Sequence, residues 1–205
     1  AGAARLEALV NALVFERVIV PIDVEPDPRV TGVHAGDSGH NPIDFVRVQT
    51  PAGEALAIYS SVRALSAHRP GDRPMALDFR TIGLTALIET GGRVVVNPGT
   101  DAVLLPRPAV AALAQGDQWL PAWHDVALRE LLLAEASAAC SAITDLSITY
   151  AGDGLTRVIV SVERSCFTGA ANASAMKQSL TQALSRVGAN RRLIASADRV
   201  EIAPI

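Results

Sequence analysis

The chain has 205 residues, of which 49% are hydrophobic and 19% charged, and its net charge is −3 at pH 7. This composition is typical of a globular protein with one large or two small domains. The acidic balance argues against a general nucleic-acid binder and, more weakly, against a peripheral membrane protein, because both classes use clustered basic residues.

The remaining composition indicates a cytoplasmic bacterial protein. Two cysteines, Cys140 and Cys166, are too few for a disulfide framework. No apolar run approaches the roughly 18 residues that a membrane-spanning helix needs, and the first residues do not have the pattern of a signal peptide. Lys177 is the single lysine among many arginines and alanines, which is typical of a high-GC bacterial genome. We therefore expect reduced thiols and no membrane segment.

The first half of the chain predicts a mixed helix and strand unit over residues 1–118. Apolar residues at helical spacing predict a helix over 3–13. A strand is expected over Arg17–Val24, and Pro21 inside it favours an edge or bulged strand. Residues 25–42 are rich in proline and glycine and predict a long mobile loop.

Turn and cap signals continue along this half. Residues 43–50 alternate as a strand, and a short turn leads into a second strand over 55–59, which predicts a hairpin. Ser60 is expected to cap the next helix, and Asp78 a further one. Asn97-Pro98-Gly99-Thr100 predicts a type II turn with Gly99 at positive φ, and Pro108 is expected to open the helix over 109–114.

The second half, residues 119–205, predicts a separate unit. Its pattern indicates the order α-β-β-α-β-β, with helices over 124–140 and 170–187 and strands over 143–150, 155–163, 191–195 and 199–203. The fold class is therefore α+β, with two small units that each hold a mainly antiparallel sheet covered by helices on one side.

Three stretches of the first half carry a family resemblance. Residues 56–65 form a strand of small apolar residues that ends in an aromatic residue and is followed by Ser-Ser and a Val-x-Ala-Leu helix. Residues 68–74 read His-Arg-Pro-Gly-Asp-Arg-Pro, and residues 103–113 place Pro-Arg-Pro between the last strand and an apolar segment. They resemble the N-terminal domain of the SseB family over residues 14–118, although Tyr59 stands where phenylalanine is expected. The tail over 199–205 is similar to the C-terminal part of the family. The resemblance implies no catalytic residue and no cofactor.

One histidine cluster suggests a metal site. His34, Asp37 and His40 are the residue types that bind catalytic zinc or iron. They lie in the glycine-rich loop, and a solvated loop without a metal is the alternative, because ligands at this spacing converge only on a defined backbone.

Two further features suggest binding surfaces. Pro106 and Pro108 restrict the backbone around Arg107 and are expected to hold it extended, so that its guanidinium can bind a carboxylate or phosphate; alternatively it pairs with Glu54 or Asp101. Trp119 and Trp123 flank the predicted domain boundary. They either bind a partner or fill the interface between the two halves.

These features predict a cytoplasmic, non-enzymatic binding protein with an adaptor or regulatory role and no cofactor. Arg107, Tyr59, Trp119 and Trp123 are the predicted binding residues, and the expected partner is another protein or a second copy of the chain, not nucleic acid or a membrane. The alternatives are a metal-assisted hydrolase that uses His34, Asp37 and His40, and a self-assembling structural module.

Overall fold

The computed structural model describes residues 2–22, 45–99, 101–152, 154–168 and 170–205. Two compact units form: an N-terminal unit, Leu9–Asp117, and a C-terminal unit that combines the residues up to Ala8 with Gln118–Ile205. Each unit contains helices and a mixed or antiparallel sheet, so the predicted α+β class is confirmed. The first eight residues group with the C-terminal unit, which the sequence pattern did not predict.

The first helix runs across the division between the units, and the other elements up to residue 115 belong to the N-terminal unit. In chain order they are α1 (Gly2–Leu13), β1 (Arg17–Ile22), β2 (Arg47–Thr50), β3 (Gly53–Ile58), α2 (Val62–His68), β4 (Arg73–Asp78), α3 (Phe79–Glu89), β5 (Val94–Val96), β6 (Val103–Leu104) and α4 (Arg107–Gln115). The predicted first helix and β2–β3 hairpin are thus confirmed.

The C-terminal unit follows with three helices, three strands and two short 3-10 helices in the described ranges. They are the 3-10 helix Ala122–His124, α5 (Val126–Ala139), β7 (Ile143–Gly152), β8 (Leu155–Val162), the 3-10 helix Arg164–Phe167, α6 (Ala170–Gly188), α7 (Arg191–Ser196) and β9 (Arg199–Pro204).

The main sheet of the N-terminal unit has the order β2-β3-β5-β6, in which β3 and β5 are parallel and the other neighbours antiparallel. The strands β1 and β4 form a separate antiparallel pair, in which Pro21 lies opposite Pro74. Ile19 and Tyr59 exchange two backbone hydrogen bonds of 2.9 and 2.7 Å, which attach this pair to the end of β3. The carboxyl ends of the parallel strands β3 and β5 therefore lie side by side at the same end of the sheet.

The turn after β5 differs from the predicted type II turn. Asn97, not Gly99, has the positive φ, at 51°, and asparagine tolerates this conformation better than most residues. Gly99 is required by packing instead, since a Cβ at this position would lie 2.4 Å from Cγ of His68. The cap of α2 also differs: Ser61 Oγ accepts a hydrogen bond from the Ala64 amide, while Ser60 binds Asn97.

The C-terminal sheet has the order β7-β8-β9, with β7 and β8 antiparallel and β8 and β9 parallel. The predicted strand over 191–195 is wrong, because these residues form α7, and the order of elements is α-β-β-α-α-β. Asn190 caps α7 by accepting hydrogen bonds from the amides of Arg192 and Leu193. A parallel neighbour of β8 also requires a crossover connection, which α6 and α7 provide.

No helix in the described ranges is long and apolar enough to cross a membrane. The predicted loop over 25–42 lies outside the described residues.

Candidate functional site

A groove on the N-terminal unit is lined at its base by buried apolar side chains. Leu13 of α1, Phe79 at the start of α3 and Leu113 of α4 line a cavity of about 210 Å³ and are each at most 7% exposed. Three elements that are distant in sequence therefore build one concave surface, which we call the Phe15 groove after the exposed phenylalanine that lines it.

The turn after α1 brings two apolar side chains to the edge of the groove. Val14 is 50% exposed and Phe15 is 88% exposed. Backbone hydrogen bonds from Val14 to Asn11 and from Phe15 and Glu16 to Ala12 hold the turn in place. Phe15 is thus presented to solvent by an ordered backbone, although burying a phenylalanine normally stabilises a protein by roughly 1.5–3 kcal/mol.

The charged residues along the groove are mainly acidic. Glu16, Asp78 and Asp117 line it together with one cation, Arg80. The guanidinium of Arg80 donates to the carbonyl of Ala114 at 3.3 Å, which directs it to the end of α4. Asp78 lies 3.7 Å from Arg17, and both side chains are largely exposed, so this pair is weak. The groove therefore favours an apolar side chain with a cation beside it.

The predicted binding residue Tyr59 is fully buried at the end of β3. Its hydroxyl lies 2.8 Å from Nδ1 of the exposed residue His68. Burial raises the pKa of Tyr59 above the ordinary 10.0; the nearby Arg69 lowers it and Asp72 raises it, both by less. Among the described residues, the buried hydroxyl of Tyr59 therefore contacts His68, which is exposed.

Substitution of Tyr59 by phenylalanine tests this hydrogen bond. Tyr59→Phe should lower the free energy of unfolding by about 1 kcal/mol near neutral pH, the usual net value of one hydrogen bond. Because the folded pKa is raised, the unfolded chain loses the proton first, so the advantage of the wild type should shrink above pH 10.0. Urea unfolding across this pH range measures both effects.

The other tyrosine, Tyr150, provides the control. Tyr150 lies in the C-terminal unit, so Tyr150→Phe should retain the alkaline loss of stability. If the loss of stability above pH 10.0 persisted in full in Tyr59→Phe and disappeared in Tyr150→Phe, the titrating group would not be Tyr59.

A polar cluster lies next to Tyr59, at the carboxyl ends of β3 and β5. The side chain of Asn97 accepts a hydrogen bond from the Ser60 amide at 3.0 Å and donates one to Ser60 Oγ at 3.0 Å. Neither Asn97 nor His68 is among the binding residues that the sequence predicts. The Ser-Ser pair after β3 and the Asn-Pro-Gly turn after β5 were the available signals, but they become neighbours only when β3 and β5 pair in parallel.

Arg107 does not have the conformation that the sequence predicted. It is the first residue of α4, with Pro106 as the extended N-cap residue, so the expected extended backbone at Arg107 is wrong: Pro108 occupies an early helical position, which needs no amide hydrogen. The side-chain carbons of Arg107 lie against Gly92 at the amino end of β5. Tyr59 lies at the opposite end of the parallel pair, so the structure does not bring Arg107 and Tyr59 together.

The tryptophans are neighbours in the C-terminal unit. The rings of Trp119 and Trp123 are 5.6 Å apart and nearly perpendicular. Trp123 Nε1 donates to Oε1 of Glu7 at 2.6 Å, and the same oxygen lies 3.1 Å from Nε2 of His124. The buried Nε1 of Trp119 has no acceptor within the part of the chain that the structure describes.

The predicted metal ligands His34, Asp37 and His40 lie outside the described residues. Among the residues that are described, no group of three or more histidine, cysteine, aspartate or glutamate side chains could hold a metal ion. Cys140 and Cys166 are both free thiols, and Cys140 is buried at the end of α5 with its Sγ 3.7 Å from Sδ of Met176.

Comparison with known proteins identifies the family. The family model described as the SseB protein N-terminal domain matches residues 1–112, more than half of the 205 residues. The chain belongs to the SseB family. The SseB match includes β1–β6 and all lining residues of the Phe15 groove up to Arg80, and it confirms the resemblance of the first half. The resemblance of the C-terminal tail lies beyond the match and stays a prediction. No curated protein and no solved structure matches the chain.

Proposed function

We propose that this SseB family chain is a non-enzymatic interaction protein of the bacterial cytoplasm, which binds a segment of another protein in the Phe15 groove. The exposure of Phe15, at 88%, beside a groove with a buried apolar base is the observation that carries the proposal. Large exposed aromatic side chains near pockets are typical of protein interfaces. An adaptor or regulatory role needs such a surface and no catalytic group.

The size and charge of the groove define the partner segment. A cavity of about 210 Å³ is smaller than the usual site of a drug-sized ligand, roughly 300–1,000 Å³, and suits one or two apolar side chains of a peptide. Glu16 and Asp117 lie beside it and complement arginine or lysine in the flanking residues. Such complementary charges raise specificity and association rate. The expected segment is therefore an apolar residue flanked by cations.

Selection from a displayed random-peptide library tests this proposal. Binding to the wild-type chain should enrich peptides with an apolar residue flanked by arginine or lysine. Phe15→Ser should weaken the enriched peptides by about tenfold, since loss of a buried aromatic contact at an interface costs more than 1 kcal/mol. Fluorescence anisotropy with a labelled selected peptide measures the change.

The matched control is Ile88→Ser, which removes another exposed apolar side chain, 85% exposed on α3 and absent from the groove lining. It should leave peptide affinity unchanged. Equal losses in Ile88→Ser and Phe15→Ser, or selection of acidic peptides, would contradict the proposal. So would a wild type with twice the chain mass that Phe15→Ser converts to a single chain, because a second copy would then cover the groove.

A further inference from the structure

A second concave surface lies on the C-terminal unit, where α5, the end of α6 and the start of α7 meet. It is a shallow surface hollow, largely open to solvent, with a volume of about 750 Å³, and it is lined by Leu131, Glu135, Arg186, Asn190, Arg191 and Arg192, among others. We call it the arginine basin. It is separate from the Phe15 groove in residues and in charge.

Hydrogen bonds hold the walls of the arginine basin. Nδ2 of Asn190 donates to Oε2 of Glu135 at 2.9 Å, while the oxygen of the same amide caps α7. Nη2 of Arg192 lies 2.8 Å from both carboxylate oxygens of Asp125, which is only 9% exposed. Two of the polar groups that line the basin, Glu135 and Arg192, are therefore engaged by protein atoms, and the surface is ordered before any ligand binds.

Two cations in the basin are not compensated. Arg186 and Arg191 are exposed, and neither side chain makes an ion pair or hydrogen bond within the described part of the chain. The charge of Arg192 is offset by Asp125. The basin is therefore left with two positive charges, on Arg186 and Arg191, and one negative charge, on Glu135, so its net charge is positive. Guanidinium groups bind carboxylates through two parallel hydrogen bonds, so the basin favours a carboxylate ligand.

Apolar side chains lie beside these cations. Leu131 lines the basin and is 39% exposed. Ile194, 59% exposed, follows Arg191 by three residues and therefore lies on the same face of α7. Inorganic anions would use only the guanidinium groups, and nucleic acid requires a more extensive basic surface than an acidic chain with three arginines here provides. An acidic segment with apolar residues uses both kinds of side chain.

We propose that the arginine basin binds an acidic segment of a partner protein, in which aspartate or glutamate alternates with apolar residues. Recognition of acidic motifs by arginine clusters is a recurrent mode of peptide binding. The inference does not rest on the proposed function of the Phe15 groove, because the two surfaces lie in different units and attract opposite charges.

A labelled peptide of alternating glutamate and leucine is the probe, and the same peptide with glutamine in place of glutamate is its control. Fluorescence anisotropy should show saturable binding of the glutamate peptide to the wild-type chain and weaker binding of the glutamine peptide. Arg191→Glu and Arg186→Glu should each reduce affinity at least about tenfold, the value of one charge-assisted hydrogen bond. Both side chains are exposed, so circular dichroism should be unchanged.

Arg164→Glu is the matched control variant, since Arg164 is an exposed arginine of the same unit outside the basin. It changes net charge equally and should alter affinity by no more than about twofold, as expected of a distant surface charge. Phe15→Ser should also leave this peptide bound, which separates the two proposals. Absence of saturable binding, equal losses in Arg164→Glu and Arg191→Glu, or displacement of the peptide by millimolar phosphate or glutarate alone would overturn the inference.

Discussion

Asp125→Ala should lower the free energy of unfolding by about 3 kcal/mol, measured by urea unfolding. Asp125 is 9% exposed and serves two groups: its Oδ1 caps α5 by accepting from the Leu128 amide at 3.0 Å, and both oxygens bind Arg192. Loss of an N-cap costs about 1 kcal/mol, and loss of a hydrogen bond to a charged group costs roughly 1.5–3 kcal/mol. Because Arg192 is partly exposed, we take the lower part of the second range, and the two costs together give about 3 kcal/mol.

The control for this prediction is Asp145→Ala, which removes the same charge from the same unit. Asp145 lies 2.7 Å from Arg129 and is 55% exposed, so its loss should cost less than about 1 kcal/mol. Equal costs for the two variants would contradict the role of burial and capping. Hydrogen exchange should also show that the amides that lose protection in Asp125→Ala lie mainly in residues 118–205, the part of the C-terminal unit that contains Asp125.

The sequence predicted the elements that depend on local patterns. The hairpin of β2 and β3 follows from two strand segments around Pro51–Gly53, and α1 follows from apolar residues at helical spacing. These features need only neighbouring residues, because turn chemistry and side-chain period are local properties. The SseB resemblance came from the same stretch and is confirmed over residues 1–112.

The features that failed depend on distant residues. The segment Arg191–Ser196 is too short to show helical periodicity, although Asn190 before it is a preferred N-cap residue, and Asn190 is held in place by Glu135, more than 50 residues earlier. The predicted type II turn at Asn97 is wrong for a similar reason: Gly99 allows the close approach of His68 and does not provide the positive φ, which Asn97 adopts. Tertiary packing here overrides the usual turn preference.

The two proposed surfaces could not be predicted for the same reason. The Phe15 groove combines residues from the end of α1, the start of α3 and the end of α4, and the arginine basin combines three helices of the other unit. Phe15 and Arg191 carry no motif, and only the fold shows that each lies beside a concave surface. Tyr59, which the sequence did predict as a binding residue, is buried, and its hydroxyl lies beside His68.

Gly83→Leu should have the other large effect, because Gly83 allows α3 and α4 to pack closely. A Cβ at this position would lie 3.0 Å from Cβ and 3.3 Å from Cα of Ala114, and 3.4 Å from the carbonyl oxygen of Val110. Leucine would have to separate the two helices, and overpacking of this kind costs about 3 kcal/mol, although leucine favours a helix over glycine by roughly 1 kcal/mol.

The same change at Gly71 is the control, since a Cβ there would have no atom within 4 Å beyond its chain neighbours and its backbone is not in the left-handed region. Gly71→Leu should alter the free energy of unfolding by no more than about 0.5 kcal/mol. Gly83→Leu should also reduce binding of a groove-selected peptide, because Phe79 and Leu113, which line the Phe15 groove, belong to the two helices that it separates. A stable Gly83→Leu variant with unchanged peptide affinity would show that the contact between α3 and α4 is not what shapes the groove.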